Sequence, residues 1–299
     1  MHKPTAFFLV GATATGKSAV AHLLAAKRDC SVVSADSMNV YQGMNIGTAK
    51  PSLSEQRQVA YHGIDVVKPT DPFHVAAWMK VIQPAWSEAS PPLVCGGTGL
   101  YIKCLTEGLD SSTAENKVQR PIWEKQSLEV LQVEAEQNVP EGYAALTIDD
   151  RQNPRRLIRL LERGGNGIQW QESRRVKLVG LQIEREHLHQ RIQNRVEQMY
   201  ADGLLDEAAL LNALDLSSTA RQAIGYAEAM ACLAGEYTQD EAVERTVIRT
   251  RQLAKRQMTW FRNQMDVEWI EVEADTPVAD VANAVETAWE RMGAGEVKL

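Results

Sequence analysis

The sequence predicts an α/β protein: a parallel sheet with helices on both faces, built around a phosphate-binding loop. A helical insertion and a helical C-terminal part complete it. Three observations carry this reading. The first 110 residues alternate short apolar runs with helix-like stretches, the pattern of a covered parallel sheet. Between one such run and one such stretch lies Gly11-Ala12-Thr13-Ala14-Thr15-Gly16-Lys17-Ser18, which fits G-x-x-x-x-G-K-[ST]. A polar, arginine-rich block then interrupts the alternation before an apolar run over 176–183 returns to it.

Residues 6–10 are a compact apolar strand, and 11–18 the turn that leaves it. Residues 19–27, rich in Ala and Leu, suit a helix. Residues 31–34 and 93–95 are further short strands, the second closed by Gly96 and Gly97. Ser111, Ser112 and Thr113 read as a linker, followed by helices over 123–137 and 153–162 and a flexible turn of Gly164, Gly165, Asn166 and Gly167. The expected division is a core of 1–112 with 176–299 and an insertion of 113–175. After Ile183 the chain reads as all-helical. Leu188, Ile192, Val196 and Met199 repeat at helical spacing, and Gly203 is a stop. A long helix over 240–262 carries Arg251, Lys255 and Arg262 along one face.

Composition excludes several classes. At 299 residues, 44% hydrophobic and 24% charged, the chain is not mainly disordered. No apolar run approaches the roughly 20 residues of a membrane helix. The first four residues lead straight into a strand, so a cytoplasmic protein without a membrane partner is expected. Cys30, Cys95, Cys104 and Cys232 lack zinc-ligand spacing and read as reduced thiols. The absence of a heptad pattern suggests a monomer.

The net charge of −7 conceals an uneven distribution. Residues 151–195 hold eleven Lys/Arg against four Glu, a local +7; residues 245–262 hold six and no acid. The remainder carries −20. A partner meets the local charge, because fields are screened within about 8–10 Å. Arginine dominates both segments, and its planar fork suits phosphate oxygens, although a solvated helix face has the same composition.

The turn at 11–18 has a specific chemistry. Its glycines let successive amides of Gly11, Ala12, Thr13, Ala14, Thr15 and Gly16 curl around an anion. The following helix aims its positive end at the same point. Lys17 adds a cation, and the Ser18 hydroxyl suits Mg2+. An NTPase would also place a carboxylate at the end of a neighbouring strand. Here 93–95 ends in Gly96-Gly97-Thr98, and the early strand-end carboxylate is Asp36. Asp36 suits three roles: metal ligand, turn cap, or base beside bound phosphates. Thr98 suits two: N-cap of the next helix, or hydroxyl donor to a phosphate.

Six blocks in order give the chain a family resemblance. They are 11–18; Asp36-Ser37-Met38-Asn39-Val40-Tyr41-Gln42-Gly43-Met44-Asn45-Ile46-Gly47-Thr48-Ala49-Lys50-Pro51; Gly96-Gly97-Thr98 with Leu100-Tyr101; Pro154-Arg155-Arg156-Leu157-Ile158-Arg159; Ile224-Gly225-Tyr226; and Thr250-Arg251-Gln252-Leu253-Ala254-Lys255-Arg256-Gln257 with Thr259-Trp260-Phe261-Arg262. Over most of its length the chain resembles the bacterial tRNA dimethylallyltransferases, or tRNA isopentenyl transferases. Departures are Ala12 for the usual Pro, His74 for a frequent Ser, Ala77 for a common acid, and Ala227 for a frequent base.

The resemblance implies a P-loop NTPase-like core. It also implies transfer of a dimethylallyl group from dimethylallyl diphosphate to the exocyclic amine of adenine 37, next to the tRNA anticodon. Asp36, Thr98 and Lys17 become the catalytic group, residues 11–18 the diphosphate site, and Ser18 the Mg2+ ligand. Contact with the anticodon stem-loop is implied for Asp36, Ser37, Met38, Asn39, Thr98, Arg120, Arg155, Arg156, Leu157, Ile158, Arg159, Arg251, Lys255 and Arg256. Three alternatives share parts of this evidence: a small-molecule kinase using ATP, a tRNA-binding module without catalysis, and a nucleotide-driven switch.

Overall fold

The computed structural model describes residues 3–109, 116, 118–166 and 176–299. The chain divides into two compact units, Met1–Gly108 with Ser173–Leu299, and Leu109–Glu172. The expected linker at Ser111, Ser112 and Thr113, the boundary at 175, Gly167, and Arg174 and Arg175 of the basic count lie outside the described residues.

The first unit is built on a sheet of strands β1 (Thr5–Gly11), β2 (Val32–Ser34), β3 (Tyr61–His62), β4 (Leu93–Gly96), β5 (Lys177–Ile183) and β6 (Asp266–Val272), with β7 (Gly295–Glu296) at one end. The order is β3-β2-β4-β1-β5-β6, and every pairing among these six is parallel. Phe8 stands opposite Val94 and Val10 opposite Gly96, while Leu9 faces Val179 across the other ladder. The central strands are nearly continuous apolar runs because both faces are covered. One face packs Val20 and Leu24 of the Lys17–Arg28 helix and Val281, Val285 and Trp289 of the Val278–Met292 helix against Leu9, Val179 and Leu181. Elsewhere in the unit Trp78 stacks on Tyr101, ring centroids 4.5 Å apart, and donates to the Ser34 carbonyl at 2.9 Å.

This topology positions the site. The chain steps from β1 to β2 on one side and later to β5 on the other, so connections diverge around β1. Open α/β sheets bind ligands at such a divergence, beyond the carboxyl ends of the strands. Gly11, Ser34 and Gly96 are those ends, and the three strands are adjacent and parallel.

The chain after Ile183 is not all-helical, contrary to the sequence reading. β6 pairs with β5 along its whole length, from Lys177–Asp266 to Ile183–Val272, and β7 runs antiparallel to the start of β1. β6 lies at the sheet edge and is mostly half-buried. Its sequence, Asp266-Val267-Glu268-Trp269-Ile270-Glu271-Val272, therefore mixes apolar residues with charges that guard an edge. No local signal separates it from the long helix before it.

In the second unit, the expected helix over 123–137 is two helices. Arg120–Trp123 ends, and Ser127 caps a new helix, Leu128–Asn138, accepting the Val130 amide. Pro140–Ala145 and Ile148–Arg151 follow, then Pro154–Glu162, where Asn153 caps the Arg155 amide and Pro154 takes the first position. The small core is Trp123, Leu131, Ala135, Leu157 and Ile158. Leu157 and Ile158, expected among the tRNA contacts, are 0% and 4% exposed and close this core in the free protein. An apolar stripe at helical spacing on a short basic helix belongs inside, while Arg155 and Arg156 face outward.

Trp289 is 2% exposed, and its indole donates to the Phe8 carbonyl at 3.1 Å. Trp289→Ala should cost about 3–5 kcal/mol, the range for emptying a buried aromatic site. Urea unfolding followed by circular dichroism measures this.

Candidate functional site

β1 ends at Gly11 and the next helix starts at Lys17. Gly16 sits at the N-cap with φ 88°, a left-handed conformation that a side chain resists. No side chain caps this helix, and its first turn holds no acid. The first-turn N–H groups are therefore open to an anion. The loop is stiffened from within. The Thr15 hydroxyl donates to the Ala12 carbonyl at 2.9 Å, and Lys17 Nζ donates to the same oxygen at 3.0 Å. Ala14 holds φ 64°, strain of the kind found at ligand-binding turns. Ser18 is exposed on the first turn.

The second half of the site follows β2. Asp36 Oδ1 accepts the Met38 amide at 2.8 Å, so Asp36 does cap its turn. That uses one of two carboxylate oxygens. Thr98 occupies the N-cap position of the Gly99–Glu107 helix but makes no capping bond. Its hydroxyl instead accepts the Ser37 amide at 3.0 Å and lies 3.4 Å from the Ser37 hydroxyl. The Thr98 amide donates to Ala35 O, and the Ala35 amide to Cys95 O. The ends of β2 and β4 are thus stitched together, and Asp36, Ser37 and Thr98 form one cluster. Asn39 Nδ2 reaches Ser34 Oγ at 3.4 Å, while its Oδ1 is buried without a hydrogen-bond partner.

Electrostatics join the two halves. Burial lowers the Lys17 pKa from the usual lysine value, opposed by the charge of Asp36 and reinforced by Arg195. Burial likewise lowers Arg195, and Asp36 opposes it. Burial pushes the Cys95 thiol up to about 11, so it is neutral at pH 7. Arg195 was missed by sequence reasoning. It lies on the Arg185–Ala201 helix, four residues from Arg191, whose guanidinium approaches Gly16. An Arg-x-x-x-Arg spacing inside a basic segment is the one signal that could have found it, since both then share a helix face.

Beside Arg195 opens a cleft of about 620 Å3, walled by Ile46, Ala49, Lys50, Leu53 and Met199 among others. Its loop wall is held by half-buried Glu207, not anticipated from sequence, and by buried Tyr226 of the Ile224-Gly225-Tyr226 block. Glu207 accepts the amides of Asn45 (3.0 Å) and Ile46 (2.9 Å) and the Tyr226 hydroxyl. Tyr226 in turn accepts the Gly47 amide at 3.1 Å. Its ring leaves no room for a Cβ at Gly47. Lys50 runs beneath, bonded to Asp65 at 2.6 Å and to the Tyr41 carbonyl at 2.7 Å.

The long helix is Gln239–Gln264. Lys255 and Arg256 are exposed and Arg251 is half-buried, with its Nε unbonded. In the second unit Arg155 and Arg156 are exposed, and Arg156 pairs with Asp150. Arg159 (2.9 Å) and Arg120 (3.4 Å) converge on Glu162, whose carboxylate is fully buried. Arg120 also bridges to Glu124 at 2.9 Å. These arginines form their own cluster within the second unit.

A family model described as IPP transferase matches residues 39–264, and one described as isopentenyl transferase matches 4–61. The chain is 37% identical over 294 residues to the tRNA dimethylallyltransferase of Bacillus licheniformis, covering 90% of this chain and 91% of that one. The chain belongs to the IPP transferase family. The tRNA dimethylallyltransferase of Geobacillus kaustophilus is 36% identical, with 97% and 96% covered. The crystal structure of the full-length tRNA isopentenylpyrophosphate transferase of Bacillus halodurans aligns with TM-score 0.71 at 32% identity, covering 97% and 98%. A eukaryotic dimethylallyltransferase, crystallised acting on tRNA, shares the fold at TM-score 0.76 and 23% identity, covering 96% of this chain and 80% of that one.

Two departures from the IPP transferase pattern are chemically mild. His74 still caps a helix, Val75–Ile82, its Nδ1 accepting the Ala77 amide at 3.2 Å. Ala12 is fully buried, and the loop uses its carbonyl rather than its side chain.

A lysine pKa depressed by burial has a definite sign. The unfolded chain binds more protons between the depressed value and the ordinary one near ~10.4, so the free protein gains stability as pH rises through that window. Lys17→Met should therefore raise the melting temperature of the ligand-free transferase at pH 7, and the gain should shrink toward pH 10. Diphosphate binding, measured by calorimetry, should be lost in the same variant. A lower melting temperature at pH 7 would show that the Lys17 charge is compensated in the free state.

Proposed function

We propose that this transferase moves a dimethylallyl group from dimethylallyl diphosphate to the exocyclic amine of the adenine beside a tRNA anticodon. One observation carries the reading beyond the relatives' names. The open helix start after β1 and the Asp36 turn after β2 lie at the same end of one parallel sheet, while β4 between them ends in Gly96 rather than in the carboxylate an NTPase needs. A leaving diphosphate and a proton acceptor require that pair. A small-molecule kinase would share the loop, but it would need ATP and has no use for two arginine-rich segments.

In the reaction, the amine nitrogen attacks the allylic carbon as its carbon–oxygen bond breaks. The bond's electron pair leaves on the diphosphate, and the amine proton goes to Asp36. Loop amides, Lys17 and Arg195 meet the charge as it develops on the leaving oxygen, where preorganised donors act most strongly. Asp36 raises the reactivity of a weak aromatic amine. Asp36 keeps one oxygen free of the Met38 amide for this. The cleft beside Arg195, with its Ile46, Ala49 and Met199 lining, is our candidate for the isoprenoid tail.

Magnesium fits the residues present. Ser18 offers an exposed hydroxyl at the helix start, and Mg2+ takes few protein ligands and several phosphate and water oxygens. When bound it would neutralise diphosphate charge.

The target adenine must leave its stack, a cost of a few kcal/mol. Ser37, Met38, Asn39, Arg251, Lys255 and Arg256 in the first unit, and Arg120, Arg155, Arg156 and Arg159 in the second, are our candidates for the RNA contacts that offset it. We expect a monomer acting in the cytoplasm.

Incubation with tRNA and dimethylallyl diphosphate, followed by mass spectrometry of the nucleosides, tests the reading. A prenylated adenosine is expected, and ATP should yield no phosphorylated product. Asp36→Asn should cut turnover by roughly 10²–10⁴-fold with substrate affinities nearly unchanged. Restoration by high Mg2+ would make Asp36 a metal ligand instead.

The logarithm of the tRNA affinity should fall steeply with the logarithm of salt. Replacing Arg155 and Arg159 by Gln should flatten that slope by about one to two units. A wild-type slope near zero would leave the basic segments as solvated faces.

A further inference from the structure

We propose that Gln257 is a positioning residue that sets the spacing between the donor and acceptor halves of the site. It rises from the long helix between the two glycine turns. Its Oε1 accepts the Thr13 amide at 2.9 Å, and its Nε2 donates to the Gly97 carbonyl at 3.1 Å. One planar amide thus holds the phosphate loop with one end and the Gly97–Thr98 turn with the other. A Cβ at Gly97 would overlap that amide, so the glycine is what lets the two approach. Three residues on, the Trp260 ring covers Gly99 as closely.

The chain of contacts reaches the reacting groups on both sides. From Gly97 it passes to Thr98, whose hydroxyl takes the Ser37 amide next to Asp36. From Thr13 it enters the loop whose Ala12 carbonyl takes the Lys17 ammonium. The Thr13 N–H is committed to Gln257, so an anion is left to the amides further along the turn. Gln257 touches neither substrate. It fixes the distance between the leaving diphosphate and the base, and in a displacement reaction a misplacement of about 1 Å costs up to 10²-fold in rate.

The inference rests on the prenyl-transfer reading, and the test separates the two. Gln257→Leu removes both bonds. Turnover should fall by about 10–100-fold while both KM values stay within about threefold, since each half still binds its own substrate. Gln257→Glu supplies a sharper readout. Ionised, the glutamate still accepts from Thr13 but opposes the Gly97 carbonyl. Protonated, it is an isostere of glutamine, donating to Gly97 and accepting from Thr13.

The ratio of variant to wild-type kcat should therefore climb severalfold between pH 8 and pH 5. Taking the ratio to wild type removes the pH dependence that the two enzymes share. A merely structural role would leave the ratio flat. Amide exchange at Thr13, followed by NMR, gives an answer without turnover: protection in the wild type, and loss of it in Gln257→Leu. A flat pH ratio in an active enzyme, or a fast-exchanging Thr13 amide in the wild type, overturns the role of Gln257. A wild type that transfers no prenyl group overturns the parent reading and the kinetic role of Gln257 with it.

Discussion

The site depends on one uncompensated feature, the bare N-terminus of the Lys17–Arg28 helix. Five other helices close such ends with side chains: Ser52, Ser127, Thr147, Asn153 and Thr238 each accept an amide of the helix they start. Here the cap is Gly16, with neither a capping bond nor an acid in the first turn. A ready-made cap would compete with any incoming anion. Leaving those amides open forgoes roughly 0.5–2 kcal/mol of ordinary capping. Around this opening the protein adds further unfavourable terms: a partly desolvated lysine, a second partly desolvated cation at Arg195, and a non-glycine residue in the left-handed region at Ala14. An incoming anion would offset the two cations.

Rigidity around the opening comes from polar bonds between distant segments rather than from the apolar core. Gln257 spans the two glycine turns, Thr98 grips the Asp36–Ser37 turn, and Glu207 with Tyr226 braces the 45–47 loop. Each uses a side chain on one element to satisfy backbone amides on another. Buried amides demand partners, so such bonds define geometry more narrowly than packing does. Several of the glycines in the signature blocks find their reason here. Gly47, Gly97 and Gly99 are the places where Tyr226, Gln257 and Trp260 lie against the backbone.

Charge is partitioned to match. The chain is acidic overall, yet its basic segments include an exposed pair on the long helix, Lys255 and Arg256, and an exposed pair in the second unit, Arg155 and Arg156. Part of the local excess is already answered: Glu162 takes Arg159 and Arg120, and Asp150 takes Arg156. A raw count of arginines therefore overstates the field a polyanion meets. The remaining carboxylates keep the net charge away from zero.

Sequence alone determined the phosphate loop, the early strands, the return of the chain at β5 and the long helix. Each is written in contiguous residues: a glycine spacing, an apolar run, or a helical period. It also singled out Asp36 and Thr98, although their partnership is a matter of β2 and β4 lying side by side. Tertiary structure decided everything that joins remote positions. β6 is a strand because β5 offers an edge for it. Leu157 and Ile158 are core because other helices cover them, although they stand among arginines in the chain. Helices far along the sequence bring Gln257 to the turns after β1 and β4, and Glu207 to the 45–46 loop. Local propensity cannot encode such meetings, since the free energy that selects them is released only when separated segments exclude water from one another.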